Sequence, residues 1–235
     1  MRTLLTLAWW TLMTPLAAVL TLPYTLITGN GDFLYRTGMW VVRFGMKLSG
    51  IRIEIIGRDR LDPAQTYIFM SNHASNIDPP LLISLLPGRT SVLVKKELFR
   101  TPILGFAMRA AKLVAVNRHN RDAAIASVRA AAGVIRSGLN MTIFPEGTRS
   151  LDGRLLPFKK GPFYLALETG CPIVPITILG TYEILPKGKY FIQPKKAVAQ
   201  IVFHDPIWPK DFADRDVLIA AVRDSITSAL PADRR

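Results

Sequence analysis

Residues 66–80 read TYIFMSNHASNIDPP, and this stretch changes character twice. Its first five residues are mostly aromatic or β-branched and predict a short buried strand over 66–70. A polar loop follows, and two prolines then stand where a helix can begin. A buried strand, a polar loop and a helix start in this order are typical of an α/β unit.

The same alternation continues on both sides of this stretch. Apolar runs predict strands over 51–56, 66–70, 91–94, 113–116, 141–144, 173–179 and 198–203. Helical spacing of apolar residues predicts helices over 79–86, 121–137, 162–168 and 214–229. We therefore predict an α/β fold: a single domain over residues 51–235 with a central, parallel or mixed sheet flanked by helices.

The first 50 residues have a different composition. No charged residue lies between Thr3 and Gly31, a run longer than the roughly 20 residues that cross a bilayer as a helix. Pro15 and Pro23 are expected to interrupt it, which leaves a kinked or re-entrant anchor as an alternative. The following segment over 33–48 carries a basic stripe of Arg36, Arg43 and Lys47, which is typical of an interfacial helix facing lipid phosphates. Residues 1–50 thus predict a membrane anchor, with a secretory signal peptide as the alternative.

The charge balance restricts the partners. The chain has 235 residues and a net charge of +13. Such an excess attracts nucleic acid, anionic membrane lipids or a negatively charged small substrate. The basic residues are scattered among apolar segments rather than gathered into tails, which disfavours nucleic acid. The single cysteine, Cys171, excludes an internal disulfide.

The loop after the strand at 66–70 contains His73 and Asp78. On one continuous helix, positions five apart would diverge by about 140°. In a strand-to-helix loop they can meet, and a carboxylate on one imidazole nitrogen leaves the other as a base. An alcohol substrate would then supply the attacking oxygen. The alternative is that Asp78 merely caps the next helix, with Pro79 at its first position.

Other polar side chains also follow predicted strands. The segment FPEGTRS at 144–150 contains Glu146, Gly147, Thr148 and Arg149, where the guanidinium suits a phosphate and the glycine permits an unusual turn. An exposed surface turn is the alternative. Other cations just past strands or at helix starts are Lys95, Lys96, Arg118, Lys159 and Lys160. Together they favour an anionic small ligand.

These residues together resemble the PlsC-type 1-acyl-sn-glycerol-3-phosphate acyltransferases. The first family motif, Asn-His-x4-Asp, matches Asn72, His73 and Asp78. The lysine-rich second block matches 94–98, followed by Gly105 and Arg118. The third motif matches 144–150 without a substitution, and the Val-Pro-Ile strand matches 172–176. All four blocks occur in order, so the resemblance implies a glycerolphosphate acyltransferase-like fold.

The resemblance also implies roles. His73 is the expected general base on the sn-2 hydroxyl, Asp78 orients it, and Lys95 (or its neighbour Lys96) stabilises the oxyanion. The expected acceptor site comprises Asn72, Arg118, Glu146, Gly147, Thr148 and Arg149, with the two arginines on the phosphate and Glu146 on the glycerol end. The expected substrates are lysophosphatidic acid and acyl-CoA or acyl-carrier protein. No metal or other cofactor is expected.

Several alternatives remain open from the sequence. The alternative acceptor is a lyso-aminolipid or glycerol 3-phosphate. If water replaced the alcohol, the chain would be a thioester hydrolase. A non-enzymatic alternative is a basic adaptor for membranes or nucleic acid, which would tolerate the loss of His73. We expect the cytoplasmic membrane, with a monotopic or single anchor. The basic residues after the apolar run favour a catalytic domain on the cytoplasmic side.

Overall fold

The fold is that of a computed structural model, which describes residues 2–116, 121–193 and 198–235, without the side chains of 121–124. It contains one central sheet with helices on both faces. The strands are β1 (Arg52–Ile56), β2 (Ile68–Ser71), β3 (Thr90–Lys95), β4 (Val114–Val116), β5 (Asn140–Ile143), β6 (Ile173–Leu179) and β7 (Val198–Phe203). The helices are α1 (Arg2–Thr28), α2 (Asp32–Ser49), α3 (Asp78–Leu85), α4 (Leu104–Ala110), α5 (Arg121–Arg136), α6 (Gly161–Thr169), α7 (Thr181–Ile184) and α8 (Arg215–Ser228).

The seven strands form a mixed sheet in the order β1-β7-β6-β2-β5-β3-β4. Every neighbouring pair is parallel except β6 and β7, which run antiparallel. The central strands are buried on both faces, since all four residues of β2 and of β5 are buried. This explains why they read as continuous apolar runs rather than as alternating patterns. The predicted α/β fold with a mixed sheet is confirmed.

Two apolar cores cover the two faces of the sheet. On one face, α5, α6 and α8 pack against β2, β5 and β6 through fully buried residues such as Phe163 and Val222. On the other face, α2 and α3 pack against β2, β6 and β7 through Met46, Leu81 and Phe69. Alternate residues of β2 therefore enter different cores, as the period of a strand requires.

The first two helices form an antiparallel pair that packs on the second core. The indole N–H of Trp9 donates a 2.9 Å hydrogen bond to the Val41 carbonyl, and the Trp9 ring contacts that of Phe44 at 4.3 Å between centroids, tilted by 38°. The pair is tied to the sheet domain because the Ile192 N–H donates to the Thr3 hydroxyl at 3.0 Å. By length and composition alone, α1 is apolar enough to cross a membrane.

Two local expectations are corrected. The chain does not leave the helix at Pro15 or Pro23, since α1 is one continuous helix that packs against α2 through Trp9 and Tyr24 on either side of Pro15. Asp78 is not the cap of α3, because it is already the first helical residue. Pro79 and Pro80 have no N–H to offer, so the Asp78 carboxylate turns back to the loop instead.

The basic stripe of α2 is exposed, as the sequence predicts. One of its members also contacts the sheet domain, because the Nε of Arg43 donates to the Ser84 carbonyl of α3 at 3.2 Å. Contacts with both α1 and α3 therefore fix the position of α2, the helix that carries the stripe.

Candidate active site

The site lies at the carboxyl edge of the sheet, where β2 and β5 end side by side. Met70 pairs with Ile143 in parallel register, so the loops that follow these two strands leave the sheet together. The first loop carries His73 and the second carries Glu146. Reactive groups collect at this edge in open α/β sheets.

His73 and Asp78 meet, as the sequence predicts. The imidazole Nδ1 lies 2.9 Å from Oδ2 of Asp78. The Asp78 side chain is fully buried, whereas 15% of the His73 side chain is exposed. The same carboxylate oxygen accepts hydrogen bonds from the Ala74 and Ser75 N–H groups at 2.8 and 2.7 Å. These bonds fix the carboxylate before any substrate arrives.

This contact determines which imidazole nitrogen is basic. An ionised carboxylate only accepts hydrogen bonds, so His73 must donate from Nδ1 and keep its lone pair on Nε2. The ring also stacks on Phe144, with centroids 4.2 Å apart and an interplanar angle of 26°. The hydrogen bond to Asp78 and the stacking on Phe144 together hold the imidazole ring in one orientation. His73 is therefore a base in a fixed position.

Glu146 joins the two loops from within. Its Oε1 accepts the His73 N–H at 2.6 Å and its Oε2 accepts the Leu156 N–H at 2.8 Å. The residue is only 2% exposed. Burial raises the pKa of Glu146 to about 7, although the two N–H donors act in the opposite direction. The contacts give Glu146 a positioning task, and its contact with the glycerol end of an acceptor stays a prediction.

Asn72 is also engaged with backbone. Its side-chain amide donates to the Ile178 carbonyl at 2.9 Å, and its carbonyl oxygen accepts the Ile178 N–H at 2.8 Å. It is 6% exposed, and it extends the pairing of β2 and β6 by one residue. A contact between Asn72 and substrate likewise stays a prediction.

The other predicted residues of the second loop, Gly147, Thr148 and Arg149, are less buried than Glu146. Gly147 has φ +71°, a left-handed conformation that side chains rarely adopt, and Thr148 is exposed. The Arg149 guanidinium donates to the side-chain oxygen of Asn76 in the first loop. Lys187 donates to the Arg149 carbonyl at 3.0 Å, which adds a second cation beside the loop.

Lys95 and Arg118, the two other cations to which a role was predicted, have different outcomes. Lys95 ends β3, one strand beyond β5, and its 57% exposed side chain lies 3.8 Å from Glu97. It shares the edge of the sheet with His73, but among the described contacts none joins the two side chains. Arg118 lies outside the described residues, and its contact with the phosphate stays a prediction.

Sequence reasoning missed three participants: Phe144, Asn76 and Lys187. Phe144 and Asn76 lie within the quoted motifs, where only the charged and catalytic side chains suggested a role. Ring stacking by Phe144 and the contact of the Asn76 amide leave no periodic pattern in the sequence. Lys187 lies in a Pro-Lys-Gly turn more than 100 residues from His73. Only strand order brings that turn to the site.

Fold and site together define an α/β protein whose sheet edge holds a histidine–aspartate pair beside cationic loops. Residues 52–179 match the family described as Acyltransferase, more than half of the chain. The chain belongs to this acyltransferase family, and the resemblance stated from the motifs is confirmed.

Several named proteins are similar to this chain. The 1-acyl-sn-glycerol-3-phosphate acyltransferase of Limnanthes alba is 39% identical over 191 residues, which are 80% of this chain and 66% of that protein. The protein of the same name from Cocos nucifera is 35% identical over 199 residues, 83% of this chain and 61% of that protein. The chain thus spans slightly less than two thirds of these relatives' length.

A solved structure is similar over nearly the whole fold. The crystal structure of the 1-acyl-sn-glycerophosphate acyltransferase PlsC from Thermotoga maritima superposes with a TM-score of 0.80 at 25% identity. The match covers 97% of this chain and 95% of that one, so it includes the N-terminal helix pair as well as the sheet.

Proposed function

We propose that this chain transfers a fatty acyl group from an acyl thioester to the sn-2 hydroxyl of 1-acyl-glycerol 3-phosphate, which gives phosphatidic acid. The single observation that carries the proposal is the His73–Asp78 pair, with Nδ1 and Oδ2 2.9 Å apart at the cationic edge of the sheet. The names of the similar proteins supply the acceptor. The acyl donor is acyl-CoA or acyl-carrier protein.

The first step is proton removal. Nε2 of His73 takes the proton of the acceptor hydroxyl while the alkoxide oxygen attacks the thioester carbonyl. Asp78 stays ionised and stabilises the imidazolium that forms. Because the carboxylate is already held by two backbone N–H groups, little reorganisation accompanies this charge.

The second step is collapse of the tetrahedral intermediate. Its oxyanion needs donors, and Lys95 at the end of β3 is the side chain that we assign to it. One well-placed donor typically lowers the barrier by about 3 kcal/mol. The carbon–sulfur bond then breaks, and the imidazolium of His73 returns its proton to the thiolate. No metal or redox cofactor enters either step of this proposal.

The acceptor phosphate belongs at the outward face of the second loop. Arg149 offers planar donors there, and Lys187 lies beside its carbonyl. Thr148 and the backbone around Gly147 complete the proposed binding loop. Arg118 is the further phosphate contact that we propose from the motif.

The enzyme is proposed to act at the cytoplasmic membrane, anchored by α1 and α2. The exposed apolar residues of α1, such as Leu12 and Ile27, suit the acyl region, and anionic lipids would attract the exposed basic stripe of α2. Asn30→Cys in sealed vesicles tests the orientation. Reagent access from the outer side alone would reverse the cytoplasmic placement.

The decisive assay uses the purified chain in detergent with lysophosphatidic acid and a long-chain acyl-CoA. Free thiol and phosphatidic acid are both measured, and His73→Ala is the control. Equal release of the two products, lost in the variant, supports the transferase and the base. Thiol without phosphatidic acid indicates a hydrolase or another acceptor. If no thiol appears, the same assay with acyl-carrier protein separates a donor preference from failure of the proposal.

A further inference from the structure

A cavity lies at the far edge of the sheet, away from His73. It has a volume of about 770 Å³ and opens between β4, α4 and α5. Its edge strand, β4, is three strands from β2, which corresponds to roughly 14 Å at the usual strand spacing. The centre of the cavity therefore lies away from His73, and Lys96 on its rim is the neighbour of Lys95, which the proposed function assigns to the oxyanion.

The walls and the rim of this cavity differ in chemistry. Phe99, Leu113, Val114, Ala130 and Val134 line it, and these are apolar side chains. Four exposed cations also line it: Lys96, Arg100, Arg109 and Lys112. None of the four forms an ion pair with an acidic side chain in the part of the chain that the structure describes. An apolar interior under a cationic rim matches a ligand with an apolar part and an anionic head.

Lys112 occupies a backbone position where glycine is the usual residue. The Leu113 N–H donates to the Met108 carbonyl at 2.9 Å and the Lys112 N–H donates to the Arg109 carbonyl at 2.9 Å, which is the Schellman ending of α4. Lys112 therefore has φ +59°, a conformation that is unfavourable for any residue with a Cβ. A lysine at this position is less stable than a glycine would be, and it places a positive charge at the rim of the cavity.

The surroundings of the cavity indicate where its ligand comes from. The turn between α1 and α2 lies against the end of α4, since a Cβ on Gly31 would be 3.0 Å from the Ala110 carbonyl oxygen. Exposed apolar side chains occur on the two elements that meet here: Ile27 of α1 is 85% exposed, Phe106 of α4 is 38% exposed, and Ile103 just before α4 is 46% exposed. The cavity thus adjoins the surface that the proposed function places at the membrane.

We propose that this cavity binds one anionic membrane phospholipid, separately from the catalytic site. An acyl chain fills the apolar interior, and the headgroup phosphate lies on the four cations of the rim. The membrane source of the lipid rests on the proposed function. Binding itself does not, because it is measured below without turnover.

The test measures protection of a cysteine inside the cavity. Ala126→Cys places a thiol on the cavity wall, while the native Cys171 is buried and burial raises its pKa to about 12, which keeps the background reaction slow. The rate of maleimide labelling is followed in a constant neutral detergent with monomeric dihexanoylphosphatidylglycerol or dihexanoylphosphatidylcholine. The anionic dihexanoylphosphatidylglycerol is expected to slow labelling of the introduced thiol. The zwitterionic dihexanoylphosphatidylcholine is expected to leave the labelling rate unchanged.

Two variants make the result specific. In the Ala126→Cys background, Lys112→Gly is expected to raise the lipid concentration for half-protection about fivefold while the melting temperature stays the same or rises. Arg58→Gln, a cation removed at the opposite edge of the sheet, is expected to leave the half-protection concentration unchanged. Gly133→Cys is the positional control, an exposed site on α5 outside the cavity.

Four outcomes would overturn the proposal: equal protection by both lipids, protection unchanged by Lys112→Gly, equal slowing at Gly133→Cys, or stronger protection by free coenzyme A than by dihexanoylphosphatidylglycerol. Loss of acyl transfer in the assay proposed above would leave this labelling result unaffected. Failure of the proposed function and failure of the second site are therefore distinguishable.

Discussion

The backbone N–H of His73 donates a 2.6 Å hydrogen bond to Oε1 of Glu146, a residue 73 positions further along the chain. The His73 carbonyl accepts the Ser150 N–H from the same loop at 2.9 Å. The peptide groups on both sides of the proposed base are thus held by the FPEGTRS segment. This segment positions the base as well as offering Arg149 to a substrate.

Asp78→Asn tests the role of the carboxylate. An amide at this position can present its N–H₂ to Nδ1 and so favour the wrong imidazole tautomer, which moves the proton to Nε2. We expect kcat for acyl transfer to fall by a factor of about 10³ to 10⁴. The melting temperature should show that the variant remains folded at the assay temperature. Asp59→Asn, on an exposed turn at the other edge of the sheet, is the control and should keep full activity. Comparable activity in the two variants would remove Asp78 from the mechanism.

Glu146 gives the fold a pH dependence near neutrality. Burial raises its pKa to about 7 from 4.5, so the folded chain holds this proton more tightly than the unfolded chain. Its contribution to stability is complete below about pH 4.5 and is lost as the pH rises through about 7. We expect the melting temperature to fall between about pH 5 and about pH 8, with a flatter profile in Glu146→Gln.

The comparison of these two profiles isolates Glu146 from other groups. Burial lowers the pKa of His204, which gives a slope of opposite sign at mildly acidic pH in both proteins. The difference between wild type and Glu146→Gln cancels this common contribution. Parallel profiles would mean that Glu146 does not titrate in this range.

Asn72→Ala tests whether the first motif asparagine is structural. The variant leaves the buried N–H and carbonyl of Ile178 without partners. We expect a loss of about 2 to 4 kcal/mol in the free energy of unfolding, measured by urea denaturation. Asn30→Ala, which removes one exposed hydrogen bond to the Asp32 N–H, should cost much less. An unchanged stability in Asn72→Ala, with a raised KM for the acceptor, would restore the substrate role.

A pair of glycines on α2 tests the packing of the N-terminal helices. A Cβ on Gly45 would lie 2.0 Å from the indole nitrogen of Trp10, whereas a Cβ on Gly38 would meet nothing within 4 Å. We expect Gly45→Ala to separate α1 from α2, which speeds limited proteolysis within residues 1–50. Gly38→Ala should stabilise the chain by up to about 1 kcal/mol through helix propensity. The idea fails if the two variants are cleaved at the same rate.

The sequence alone determined the strands, the helices α3, α5, α6 and α8, and the contact between His73 and Asp78 in the first loop, whereas α4 and α7 were not predicted. All seven predicted strands exist, and those at 173–179 and 198–203 have the predicted bounds. Strands that are buried on both faces are continuous apolar runs, so each can be recognised from its own residues. The pairing of His73 with Asp78 was also predictable, since both residues lie within one short loop. The continuity of α1 across Pro15 and Pro23 was not predictable, because it depends on the packing of α1 against α2 and opposes the tendency of proline to break a helix.

The tertiary structure decided everything that depends on which strands are neighbours. The order β1-β7-β6-β2-β5-β3-β4 places the loop of Glu146 beside that of His73 and turns Asn72 toward Ile178. It also sets Lys112 on the rim of a cavity far from the base. The physical reason is that hydrogen bonds between distant segments leave no periodic trace in a sequence. A buried carboxylate and a substrate-binding carboxylate look the same until the strands are paired.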